Sequence, residues 1–145
     1  MKHISIAHIA LILAMLNPIT VMAALPGVVV QVSNFSSTDG TVEVSLFDSA
    51  ESFFVKPYLQ QSGKVDENGS YTTYFASLPA GEYAVIVIHD ANDNGQLDRG
   101  FLDVGGEDYG YSNQVQTWFF RPDFDEVKFV VGDTDVVVEI DLGNP

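Results

Sequence analysis

Apolar and polar positions alternate along most of this chain with a period of two. Val28, Val30 and Val32 share one side with Gln31 and Ser33 opposite, and Val42, Val44 and Leu46 alternate with Thr41, Glu43 and Ser45. Successive side chains of an extended strand point to opposite faces, so each run predicts a strand with one buried face. Thr72–Leu78, Val127–Val131 and Val136–Leu142 repeat the pattern, and Val115–Phe120 carries it more weakly. Tyr83–His89 differs, because Tyr83, Val85 and Val87 on one side and Ala84, Ile86 and Ile88 on the other are all apolar. That run predicts a central strand covered on both faces.

Turn-forming residues separate the runs: Ser37-Thr38-Asp39-Gly40, Glu67-Asn68-Gly69, Pro79-Ala80-Gly81 and Gly132-Asp133. About seven short strands joined by polar turns predict an all-β fold, an antiparallel β-sandwich. A helical signal occurs at Ser49–Lys56, where Asp48 is placed to cap the first turn, Glu51 follows three residues later and Pro57 blocks continuation. It predicts one short crossover helix over a sheet. No repeat, low-complexity tract or linker divides the chain, so a single domain is expected.

The N-terminus changes what counts as fold. Lys2 and His3 precede an apolar run from Ile4 to Leu16, and Val21-Met22-Ala23 ends in the small-x-small manner of a signal-peptidase site. Residues 1–23 are expected to be a signal peptide and residues 24–145 the mature domain, exported to the periplasm or the extracellular space. The apolar run is shorter than the roughly 20 residues a membrane-spanning helix needs, so no transmembrane segment is expected in the mature chain. There is no cysteine, hence no disulfide framework and no site for lipoprotein acylation. Removing Lys2 turns 6 basic side chains into 5 against 20 acidic ones, and the formal charge from −14 to −15. A surface of that sign disfavours nucleic acid and anionic lipid and suits small cations or basic partners.

The sharpest chemistry lies at the end of the central run, where His89 to Asp98 reads HDANDNGQLD. Calcium takes six to eight oxygen ligands, and a wrapping loop supplies them from alternate positions with a glycine at position 6 for the bend. Counted from Asp90, the ligands are Asp90, Asn92, Asn94, Gln96 through its carbonyl, and Asp98, with Gly95 at the bend. Position 12, where a helix-flanked loop places a bidentate glutamate, is Phe101, so a replacement carboxylate must come from Asp103, Glu107 or elsewhere. Flanking by a β-type run and by glycines makes this a strand-flanked loop. Low ligand charge sets the expected affinity at roughly 10⁻⁵ to 10⁻³ M. Asx-turns alone would explain the Asp and Asn content but not the alternate-residue spacing. His89 is expected beside the ligands, hydrogen-bonding one of them, since calcium prefers oxygen.

Three phrases now carry a resemblance: LFDSAESF (Leu46–Phe53), FASLPAGEYAVIVIHDANDNGQLDRGFLDVGGEDYGYSN (Phe75–Asn113) and RPDFDEVKFVV (Arg121–Val131). The chain resembles the bacterial exported family known as domain of unknown function 2141, most specifically over Phe75–Asn113. That resemblance implies a small, β-rich, secreted or envelope-located protein and leaves its activity open. The LPAGEYAV phrase is also similar to the turn and strand of prealbumin-like and carboxypeptidase-regulatory sandwich modules, where it is structural.

Catalysis finds little support in the inventory. A thiol nucleophile is excluded by the missing cysteine, and a serine triad would have only His89 as base in the mature chain, with Ser112 in GYSN lacking the nucleophile-elbow pattern. One histidine is too few for a catalytic zinc. A pair of carboxylates acting as a glycosidase remains an alternative, which the abundance of acidic residues leaves undefined. Tyr109, Tyr111 and Trp118 cluster after the loop; they either fill the end of the core or stack on sugars as a carbohydrate-binding module. The expectation is a non-catalytic binding or structural module of the cell envelope with structural calcium, an envelope glycan or protein being the further partner.

Overall fold

The alternating valines form strands whose inward faces meet. The computed structural model of the chain describes residues 24–95, 106–115 and 120–143. In chain order these hold β1 (Val28–Ser33), β2 (Thr41–Phe47), β3 (Leu59–Gly63), β4 (Ser70–Phe75), β5 (Gly81–Asp90), β6 (Tyr109–Tyr111), β7 (Phe129–Val131) and β8 (Val136–Asp141). A 3-10 turn at Ser112–Gln114 and one α-helix, α1 (Phe124–Val127), lie between β6 and β7.

One sheet runs β4-β1-β8 and the other β3-β2-β5-β6, with β7 also paired to β5. All pairings are antiparallel except β1 with β8, which run parallel from Val28 opposite Val136 to Ser33 opposite Asp141. Val28, Val30, Val32, Phe75 and Ile140 from the first sheet pack on Val42, Val44, Leu46, Val85 and Val87 from the second, all but buried. Burying a side chain of this size stabilises by about 1.5–3 kcal/mol, and these residues are the main glue of a chain without disulfides. The predicted all-β sandwich is the observed fold.

β5 is covered on both faces, as its continuous apolar run predicts. Tyr83, Val85 and Val87 enter the inter-sheet core, whereas Ala84 and Ile86 join Phe47, Phe53, Tyr111, Phe124 and Val127 in a second cluster on the outer face. The covering material differs from the prediction in one place. Ser49–Lys56 is a series of turns, with the Phe53 amide bonded to Ser49 O at 3.1 Å and the Val55 and Lys56 amides to Ser52 O at 2.9 Å. Phe54 adopts φ 59°, which stops a helix and lets Phe53 turn into the outer cluster. The helix forms instead at α1, where Asp123 and Glu126 make a reciprocal capping box and the Glu126 carboxylate accepts the Asp123 amide at 2.8 Å. Two strands, β3 and β6, carry no alternation that predicted them. Of the weaker candidate Val115–Phe120, residues 116–119 lie outside the described residues.

Candidate metal centre

Strand β5 ends at Asp90 against the start of β2, with Thr41 opposite Asp90 and Val42 opposite His89. The chain then bends through Ala91–Gly95, and the bend is organised by Asp90 itself. Its Oδ1 accepts the Asn94 amide at 3.1 Å and its Oδ2 the Gly95 amide at 2.7 Å, while Asn92 Oδ1 accepts the Asn94 amide at 3.0 Å. Gly95 takes φ 76° and Asp93 φ 55°, left-handed positions that curl the backbone around the carboxylate. The half-loop therefore presents Asp90, Asn92 and Asn94 on one short arc, and a carboxylate that accepts two amides keeps lone pairs for a further partner.

Three neighbouring segments hold this arc. His89, fully buried, donates from Nε2 to the Asp39 carbonyl at 2.7 Å, and its Nδ1 lies 3.5 Å from Asp108 Oδ2. Its ring meets Phe35 edge to face at 5.0 Å, and its backbone amide donates to Asp108 O at 2.9 Å. His89 is thus a latch joining the Asp39 turn, Phe35 and Asp108 beneath the loop, with its ring nitrogens directed at Asp39 and Asp108. Asp108 Oδ2 also accepts the Ser36 amide at 2.7 Å. Glu107, next to it, accepts the Ala91 amide at 3.0 Å through Oε1, which brings a second carboxylate to the start of the loop.

The third segment is the end of β3. Asp93 Oδ1 accepts the Thr41 hydroxyl at 2.6 Å and Oδ2 accepts Lys64 Nζ at 3.3 Å, and Lys64 Nζ also donates to Thr41 Oγ1 at 3.1 Å. The Thr41 hydrogen bond, with Lys64 second, holds the Asp93 carboxyl below its usual value. Asp93 sits at the fourth loop position, between proposed ligands, and pins the loop to the sheet. Beneath it Gly40, at φ 79°, packs against the backbone of Asp90 and Ala91, and a Cβ there would meet Asp90 O and Ala91 Cα. These contacts join residues 23 to 52 positions apart in sequence, and no spacing rule announces them.

Of the residues predicted to ligate, Asp90, Asn92 and Asn94 are brought together, while Gln96, Asp98 and Asp103 lie outside the described residues. Among the described residues no group of three or more His, Cys, Asp or Glu side chains gathers as a metal cage. The described half of the loop offers one charged ligand and two amide oxygens, a donor set for a hard cation. Tyr111, 5% exposed, packs on Phe54 and Tyr109 in the outer cluster, so its ring is used inside the fold. Tyr109 is half-buried beside it, and Trp118 lies outside the described residues. Ser112 is buried and structural: its hydroxyl accepts the Val85 amide at 2.9 Å and donates to Val127 O at 2.6 Å.

Comparison with known proteins adds one finding. A family model described as an uncharacterized protein conserved in bacteria (DUF2141) matches residues 30–139, from the second residue pair of β1 through most of β8. Neither the curated proteins nor the solved structures yield a match.

Proposed function

The chain belongs to the bacterial family DUF2141, and from that premise we propose that it is an exported, non-catalytic β-sandwich module whose Asp90–Asp98 loop binds calcium. The observation that carries this reading is the shape of residues 90–95. Asp90 takes the amides of the fifth and sixth loop positions, Asn92 Oδ1 takes the fifth as well, and the sixth, Gly95, is left-handed, so the oxygens of positions 1 and 3 converge on the backbone of position 5 in the manner of a wrapping loop. Asp98 and Asp103 supply the remaining charge in the proposal, with Glu107 anchored at the loop entrance.

The ion would tie the end of β5 to the chain that follows it. Its role is stability: at free calcium about a hundredfold above the dissociation constant, occupancy adds roughly 2.7 kcal/mol. Calcium at the expected affinity fills such a site outside the cytoplasm, which agrees with the signal-like N-terminus. Among the described residues no helix is long and apolar enough to cross a membrane.

Thermal unfolding with and without chelator tests the binding. Calcium is expected to raise the melting temperature of the wild type and to leave Asp90→Ala and Asp98→Ala unchanged; a wild-type curve indifferent to calcium overturns the reading. Export is tested separately, by N-terminal sequencing of protein recovered from the periplasm or medium, which should begin at Ala24.

A further inference from the structure

The outer face of the second sheet carries a pocket unrelated to the calcium loop. It has a volume of about 390 Å³ and opens between the Ser49–Lys56 turns and the segment leading into α1. Its floor is aromatic: Phe53 and Phe124, both nearly buried, stand edge to face at 5.8 Å, and Phe54 tilts against Phe53 at 4.3 Å. At the mouth the Arg121 guanidinium lies over the Phe54 ring, its Cζ 4.8 Å from the centroid.

The charges around Arg121 are committed elsewhere. Asp123, beside it, takes the backbone of Glu126 in the capping box, and Asp125 is held by Lys128 Nζ at 2.8 Å. Lys128 and Lys64 each have a carboxylate, whereas among the described residues no carboxylate reaches Arg121. An arginine that no carboxylate meets among the described residues, and that stacks on a phenyl ring, is a placed guanidinium whose N–H fork can take a ligand. Phe54 reaches that position from φ 59°, a conformation a bulky residue adopts only where its surroundings hold it.

We propose that this pocket is a binding site for an organic acid, a carboxylate carried on a single aromatic or branched apolar body. The carboxylate meets the Arg121 fork in the bidentate geometry that guanidinium favours, and the apolar body lies on Phe53, Phe54 and Phe124. The volume suits one ring with a short acid arm and falls within the usual range for small-ligand sites. Asp123 and Asp125 also line the pocket, but Asp125 is paired with Lys128 and Asp123 accepts the helix amide of Glu126, which leaves the Arg121 guanidinium to meet an incoming carboxylate, while the more distant negative charge is screened beyond about 8 Å at physiological salt. The proposal stands independently of calcium.

The test is a titration of isotopically labelled protein, followed by amide chemical shifts, with 3-phenylpropionate, its neutral amide 3-phenylpropanamide, and acetate. The acid is expected to give saturable shifts centred on Phe53, Phe54 and Asp125. The amide should bind about tenfold or more weakly, acetate should not saturate, and Arg121→Gln should lose the preference for the acid by the same factor. Arg121 is exposed, so the variant folds and the comparison holds. A short peptide ending in phenylalanine separates the two sources of such a carboxylate: tighter binding than the free acid assigns the site to chain termini, weaker binding to small acids. Equal affinity for acid and amide, an unaffected Arg121→Gln variant, or no saturable shift overturns the proposal.

Discussion

Replacing Gly40 by alanine isolates the contact that seats the loop on the sheet. Gly40 has φ 79°, and a Cβ built on it would run into Asp90 O and Ala91 Cα and come within 2.6 Å of Ala91 C, all backbone that cannot rotate away. Two costs follow. A left-handed alanine costs about 1 kcal/mol relative to glycine. Displacing the turn also pulls the Asp39 carbonyl from His89 Nε2, a buried bond worth about 1 kcal/mol, and shifts the packed backbone at a similar further cost. The total is about 3 kcal/mol out of a usual margin of about 5–15. Gly69 is the internal control, since it has φ 73° with nothing within 4 Å of a Cβ and bears the conformational cost alone. In urea unfolding, with a slope of about 1.5 kcal/mol per molar, Gly40→Ala should lower the midpoint by about 2 M and Gly69→Ala by about 0.7 M. Equal midpoint shifts for the two variants would refute the claim that residue 40 bears on Asp90.

Two further outcomes follow from the same geometry. Ser112→Ala deprives the buried Val85 amide of its acceptor and Val127 O of its donor, so urea unfolding should show a loss of about 2 kcal/mol, while a loss under about 0.5 kcal/mol would mean that β5 finds another partner there. Thr41→Val removes the principal group that lowers the Asp93 carboxyl below 3.8, so an NMR titration should place Asp93 higher in the variant. Because the folded value is the depressed one, that stabilisation is present above pH 3.8 and fades as pH falls through the lower folded value; the stability difference between wild type and Thr41→Val should therefore narrow below about pH 4 and stay flat near neutrality.

The interior was legible because period-two alternation is a direct projection of a half-buried strand. Val28, Val30 and Val32, and the doubly apolar Tyr83–Ile88, announced both their faces and their depth. Strand β3, Leu59–Gly63, was not legible, since an edge strand exposed along its length has no buried face to mark. Nor was β6, three residues long, where Gly110 lets the strand approach β8: a Cβ there would lie 2.6 Å from Ile140 Cγ2 and 2.8 Å from Leu142 Cδ2.

The Asp-x-x-Glu capping signal occurs twice, at Asp48–Glu51 and Asp123–Glu126, and only the second makes a helix. What separates them is tertiary: at the first, the outer face of β5 draws Phe53 inward and forces Phe54 left-handed. The loop shows the same division. Asp90, Asn94 and Gly95 could be read from their spacing, whereas the Asp39, Asp108 and Thr41–Lys64 contacts that hold them join residues far apart in the chain.

The central claim is that the end of β5 grips a calcium ion, and calorimetric titration of calcium into chelator-treated protein tests it most directly. One site per chain is expected, with a dissociation constant of roughly 10⁻⁵ to 10⁻³ M, lost in Asp90→Ala and little changed in Arg121→Gln. Heats indistinguishable from dilution in the wild type, or an equal titration in Asp90→Ala, would contradict it.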